Sequence, residues 1–238
     1  PFFEAVGVVN AATFVSGIVP GGIASIFGVG LSEGVEGTVL AGGETTFAGT
    51  TVTFAGIPAP LLTITNQDGR EQINLQVPFE IVAGQAATVR ITNNDTALEV
   101  AGVPVFGSQP GVFAVPDGSG GTTGAVLDAQ TFQLITPGNA ASTGQILALF
   151  FIGGGPLDPS VSTGEYGPAE PPRTELPVSV LIDGKTAEVS FGGYAPGFLG
   201  LYQANFAVPA DAECGNRSLV VRIGGAPSPP SSIHLACP

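Results

Sequence analysis

Apolar and polar residues alternate through two similar stretches of the chain. In Gln72-Ile73-Asn74-Leu75-Gln76-Val77-Pro78, the residues Ile73, Leu75 and Val77 share one parity and Gln72, Asn74 and Gln76 the other. In the stretch from Gly200 to Pro209, Tyr202, Ala204, Phe206 and Val208 oppose Gln203 and Asn205. A period of two predicts a strand with one face in a core. Each stretch ends at a Pro, which has no N–H to give to a further ladder position. Gln72, Asn74, Val77 and Pro78 line up with Gln203, Asn205, Val208 and Pro209 at one constant spacing, so the two stretches are copies.

Other segments repeat in the same order. Gly22 to Phe27 matches Gly144 to Phe150, Val52 to Gly56 matches Val178 to Gly184, and Val89-Arg90-Ile91 matches Val221-Arg222-Ile223. Polar excursions at residues 32–50 and 156–172 occupy corresponding places. Asp68-Gly69 marks a hairpin turn and Asn93-Asn94-Asp95 a second turn. A repeat about half the chain long points to duplicated domains rather than a solenoid. Short strands between regular turns favour sandwiches. The expectation is an all-β chain of two tandem Ig-like β-sandwich domains from an internal duplication. Residues 1–116 form the first, closed by Pro110-Gly111-Val112-Phe113. Residues 117–238 form the second, with Asp117-Gly118-Ser119-Gly120-Gly121 as the linker.

Residues 1–14 carry one charge, Glu4, and have apolar residues on both parities: Phe3 and Val9 on one, Phe2, Val6 and Val8 on the other. That predicts a strand buried on both faces. Gly17 and Pro20-Gly21-Gly22 follow as a hinge. Two placements stay open. The strand pairs within its own domain, or Phe2, Phe3, Val6, Val8 and Val9 complete a neighbouring subunit and propagate a polymer.

Composition narrows the classes. Apolar residues make up 44% of the 238, enough for two cores. The 36 Gly and 21 Pro fall between the periodic runs, as turn residues do in all-β domains. The net charge of −13 disfavours nucleic acid and anionic membrane as partners. No apolar run approaches the roughly 20 residues of a membrane span. The chain starts at Pro1 and contains no Met, which reads as a processed product whose signal peptide is gone. The two cysteines, Cys214 and Cys237, flank the last strands without CxxC spacing, so the expectation is a structural disulfide and an extracellular or cell-surface location.

Val9-Asn10-Ala11-Ala12, Pro20 to Gly28, Gln72 to Pro78, Pro110 to Phe113, and Gly193-Tyr194-Ala195-Pro196-Gly197 through Pro209 carry a resemblance. Together they resemble the Solibacter-type C-terminal domain, an uncharacterised family at the ends of secreted acidobacterial proteins. The resemblance covers nearly the whole chain in the right order and implies secretion. It supplies no catalytic residues. Here the domain is expected to be the entire chain rather than a tail.

Candidate chemistry is thin. The single His, His234, alternates with Ile233 and Leu235 and is expected to face solvent, without a partner for acid–base work. One His and two Cys do not make a zinc site. Calcium has loop carboxylates at Asp158, Glu165, Glu170 and Glu175, and at Glu33, Glu36 and Glu44, but no Asp-x-Asp-x-Asp spacing. Asn94-Asp95-Thr96 and Asn216-Arg217-Ser218 fit the glycosylation pattern at Asn94 and Asn216. No catalytic, cofactor or metal residue is assigned. The first expectation is a non-catalytic, self-assembling subunit of a surface filament or sheet, a homo-oligomer or polymer. The alternative is an adhesion module for a glycan or protein, and an enzyme is the least favoured class.

Overall fold

The computed structural model describes residues 2–237. The first domain holds ten strands: β1 (Phe2–Asn10), β2 (Ile23–Val29), β3 (Gly37–Leu40), β4 (Thr46–Phe47), β5 (Thr50–Phe54), β6 (Ile57–Pro58), β7 (Leu61–Gln67), β8 (Arg70–Gln76), β9 (Ala86–Asn93) and β10 (Thr96–Pro104). Its front sheet runs β1-β2-β8-β7-β3 and its back sheet β10-β9-β5-β4, with β6 on β5. The inward parity of each strand meets in one core, where Val8, Ile26, Val52, Phe54, Ile64, Ile73, Leu75, Val89 and Ile91 are buried. Asp68 and Gly69, at φ 54° and 80°, make the two-residue turn between β7 and β8. Two positive φ values give that turn the twist of its flanking strands.

The second domain holds β11 (Gly111–Val112), β12 (Ala114–Pro116), β13 (Thr122–Gly124), β14 (Val126–Asp128), β15 (Ile146–Ile152), β16 (Leu157–Asp158), β17 (Arg173–Thr174), β18 (Val178–Ile182), β19 (Lys185–Tyr194), β20 (Tyr202–Ala207), β21 (Gly215–Ile223), β22 (Ala226–Pro227) and β23 (Ser231–Leu235). Its front layer carries β15, β20 and the C-terminal half of β19, in the order that β2, β8 and β7 have in the first domain. Its back layer carries β18, β21 and β23. The duplication is therefore visible in the pairing, and the chain is all-β with tandem Ig-like sandwiches.

One strand differs between the halves. Ala187 of β19 pairs with β18 while Glu188 to Tyr194 pair with β20, so a single strand passes from one layer to the other. A bulge between Val189 and Phe191 bends it. In the first domain the same passage is broken into β6 and β7 by Pro58 and Pro60, neither of which can donate to a ladder.

Two expectations are corrected. Residues 117–121 are not a linker: β12 pairs with β13, and Asp117 Oδ1 accepts from Ser119 N, Ser119 Oγ and Gly121 N, closing a hairpin turn. Gly111 and Val112 pair with Ile152 and Phe151 of the second domain. The boundary falls between Val105, in the first core, and Val112, in the second. A Gly-rich stretch serves as turn or linker alike, and the flanking strands decide which.

Within the chain, the N-terminal segment pairs in its own first domain. Phe2, Phe3, Val8 and Val9 pair with Val29, Gly28, Ile26 and Ser25 of β2 in the same domain. The chain folds back at once, with Gly17 N donating to Val8 O and Ser16 bridging Val9. Closing so short a loop costs little entropy. Burial on both faces also fails. Phe3, Val8 and Val9 are buried, but a bulge between Phe3 and Val8 leaves Val6 64% exposed, and Phe2 is 60% exposed. Pro1 lies outside the described residues.

Candidate functional site

The candidate residues of the sequence do not converge on one centre. Cys214 and Cys237 form a disulfide that ties the start of β21 to the tail beyond β23. Asn94 and Asn216 are both exposed. Glu44 accepts from Gly42 N, and Glu165 accepts from Ser162 N, so these carboxylates cap their own loops. Among the described residues no three His, Cys, Asp or Glu side chains come together as a metal site. His234 departs from its expected solvent-facing place: it is half-buried, and its Nε2 is enclosed without a hydrogen-bond partner.

What the fold does bring together is the junction of the two domains. Gln76, at the end of β8, is fully buried despite its polar parity. Its Nε2 donates to the Tyr194 hydroxyl at 3.0 Å and its Oε1 accepts from Gly164 N at 2.8 Å. The same hydroxyl accepts from Gly200 N at 2.6 Å and donates to Glu165 O at 3.2 Å. A phenol with two acceptances and one donation has its hydrogen-bonding capacity filled. Burial pushes the Tyr194 phenol above its ordinary value, against the opposing pull of the Gly200 amide and the Gln76 side chain. Burial pushes Tyr202 further in the same direction, and its hydroxyl donates to Gly155 O at 2.6 Å.

Aromatic rings continue the junction. Phe79 meets Tyr194 edge-on at 6.1 Å, and Tyr194 meets Tyr202 at 5.6 Å and 78°. Such pairs add roughly 0.5–1.5 kcal/mol each beyond burial. The polar excursion 156–172 closes over the first domain. Thr163 Oγ1 accepts from Phe79 N and donates to Glu80, while Tyr166 donates to Gly42 O. At another point of the boundary, Asn10 Nδ2 donates to Gln109 O and Gln109 Nε2 donates to Ser16 O.

Sequence reasoning missed this junction because Gln76 shares the polar parity of Gln72 and Asn74. One signal was present: by the repeat spacing Gln76 corresponds to Ala207, whereas Gln72 and Asn74 are repeated as Gln203 and Asn205.

The repeated amides act differently. Gln72 Nε2 donates to Asn74 Oδ1 at 2.7 Å, and Gln203 Nε2 donates to Asn205 Oδ1 at 2.7 Å. In the first domain Ser25 and Thr63 extend the ladder across three strands. The motif is a side-chain ladder on the outer face of each front sheet. Beside it stands a half-exposed Phe in each copy, Phe27 opposite Gln72 and Phe150 opposite Gln203.

No family model and no curated protein matches the chain. Among solved structures it is similar to the Bacteroides ovatus mixed-linkage glucan utilization locus protein SGBP-B in complex with a mixed-linkage heptasaccharide. That likeness has 12% identity and a TM-score of 0.35, over 92% of this chain and 42% of that one. It is similar to the I9-I11 tandem of titin at 8% identity and a TM-score of 0.24, over 96% of this chain and 65% of that one. It is similar to domains 5-6 of the S-layer protein SbsC at 14% identity and a TM-score of 0.28, over 99% of this chain and 98% of that one. The chain thus spans less than two thirds of the first two. At these scores the likenesses carry no functional weight.

Proposed function

We propose that this chain is a non-catalytic extracellular structural module whose two sandwiches work as one stiff unit. The observation that carries it is the buried Gln76–Tyr194 hydrogen bond at the domain boundary, within a closed set of polar partners. A boundary made only of rim contacts leaves domains free to move. A buried, satisfied polar network couples them, because separating them would strand each partner without a bond. The Cys214–Cys237 disulfide supports an oxidising compartment. The resemblance to the Solibacter-type domain supports secretion.

The finer form of this reading is assembly into a surface filament or sheet. With β1 paired in its own domain, assembly proceeds through lateral contact at the exposed Phe2, Val6 and Val15. Solution scattering tests the stiff unit. The wild type is expected to fit one domain arrangement, and a Gln76→Ala/Tyr194→Phe double variant a broad ensemble. Equal flexibility in both would overturn the reading. Size exclusion and negative-stain microscopy test the finer form: a wild type that stays monomeric at high concentration removes the filament and leaves the stiff module standing.

A further inference from the structure

The outer faces of the two front sheets are built on the same plan and finished differently. In the first domain one row runs Phe27, Gln72, Thr65, Thr38 across β2, β8, β7 and β3. The equivalent row of the second domain runs Phe150, Gln203, Gly193, Arg173 across β15, β20, β19 and β17. There the space over Gly193 is taken by the chain itself. A Cβ on Gly193 would meet the Phe191 ring at 2.8 Å, and the Arg173 guanidinium stacks 5.2 Å from that ring. Phe198 also packs on Phe150 at 6.1 Å.

In the first domain Phe14 packs on Phe27 as Phe198 does on Phe150, but Thr65 stands at the Gly193 position without a ring and guanidinium over it. A groove of about 520 Å³ lies open there, lined by Phe27, Val29, Thr65, Gln67, Arg70 and Gln72. Its open state is therefore not imposed by the sandwich, since the same sandwich closes it in the other copy.

The lining selects a ligand chemistry. Phe27 and Val29 give an apolar strip, with Phe14 tilted against Phe27 at 5.8 Å. The rest is amide, hydroxyl and one guanidinium. The Nε2 of Gln72 is held by Ser25 and Asn74, so its Oε1 is left to accept from a ligand hydroxyl. Glu71 lines the groove as well. It is buried and accepts the backbone N–H groups of Leu31 and Ser32. A ring beside forked amides and a guanidinium matches a sugar, which offers an apolar C–H face and vicinal hydroxyls.

We propose that this groove binds a neutral glycan. Charge separates it from other occupants. The chain carries −13, which repels polyanionic glycans, and a lone Arg70 does not reverse that field. The exposed apolar residues Phe2, Val6 and Val15 are the surface given to a second copy, and they lie outside the groove's lining. The proposal rests on the extracellular reading only for where the ligand is met; the binding itself is independent of it.

The test uses the whole chain in affinity electrophoresis and calorimetry. The neutral probes are hydroxyethylcellulose, xylan and galactomannan, and the anionic probe is polygalacturonate. At least one neutral polymer is expected to retard the wild type with little dependence on salt. Phe27→Ala is expected to weaken that binding ten-fold or more, while Phe191→Ala, in the second domain, leaves it unchanged. If Phe27→Ala does not fold, the exposed Arg70→Ala carries the comparison, with an expected loss of several-fold. The proposal is overturned by no retardation in any neutral polymer, by binding confined to polygalacturonate and abolished by salt, or by equal binding in wild type and Arg70→Ala. Self-association lost on Phe27→Ala without glycan binding would assign the groove to a second copy and equally overturn it. A flexible wild type in solution scattering would sink the stiff-module reading without touching this result.

Discussion

Gln76 Nε2 reaches the Tyr194 hydroxyl at 3.0 Å from the other domain, and both side chains are fully buried. The pair links the end of β8 to the end of β19, and through Gly164 and Glu165 it also holds the polar excursion of the second domain. A buried amide is tolerated there because each of its ends has a partner.

Removing the hydroxyl should therefore be costly. Tyr194→Phe leaves Gln76 Nε2, Gly200 N and Glu165 O short of a bond, and about 2–4 kcal/mol of stability is expected to go. Tyr166→Phe loses one exposed bond to Gly42 O and should change stability by less than about 1 kcal/mol. Urea unfolding of the two variants checks the contrast. Equal, small effects would show that the junction does not couple the domains.

The same phenol predicts an alkaline limb. Its folded value is raised above 10.0 by burial, so the neutral form is favoured in the folded chain. The associated stability is fully present below pH 10 and is lost as pH rises towards the folded value. Thermal melts from pH 8 to pH 11 should fall more steeply for the wild type than for Tyr194→Phe. Parallel curves would contradict the assignment.

At the acid end the groups are Asp117 and Asp128. The Ser119 backbone amide is the largest cause holding Asp117 below 3.8, and the Thr131 amide the largest for Asp128. Their stabilisation is present above about pH 4 and disappears as pH falls through the depressed values. Asp117→Asn and Asp128→Asn should each flatten the acid limb of a pH–stability curve. An unchanged slope in both variants would rule these turns out as its source.

The disulfide closes the last strands of the back layer. Cys214→Ser/Cys237→Ser is expected to lower stability by about 3 kcal/mol on the loop-entropy estimate. Calorimetry measures the loss, and alkylation of the unreduced wild type should label no thiol.

Much of the fold was legible along the chain. The alternation in Gln72 to Val77 and Tyr202 to Val208 appears in the buried and half-exposed positions of β8 and β20. The Asp68-Gly69 turn and the pairing of the cysteines were also readable, the first from local φ demands and the second from the strands they flank. The polar excursion 156–172 reads as a loop in the sequence, but its task of clasping the first domain is not visible there, because its contacts to Phe79 and Gln76 lie some eighty residues away in sequence.

By itself the sequence determined the all-β class, the duplication, the alternating core positions and the disulfide. Each follows from short-range periodicity or from comparing the chain with itself. Tertiary structure alone decided three things. Residues 117–121 turn a hairpin because β12 finds β13. Within the chain the N-terminal strand pairs with β2, which offers it an edge a short loop away. Gln76 joins the domains while Gln72 and Asn74 face outward, although all three share one parity. A period of two assigns a residue to a face of its sheet, and only the packing of a second domain against that face determines whether it meets water or Tyr194.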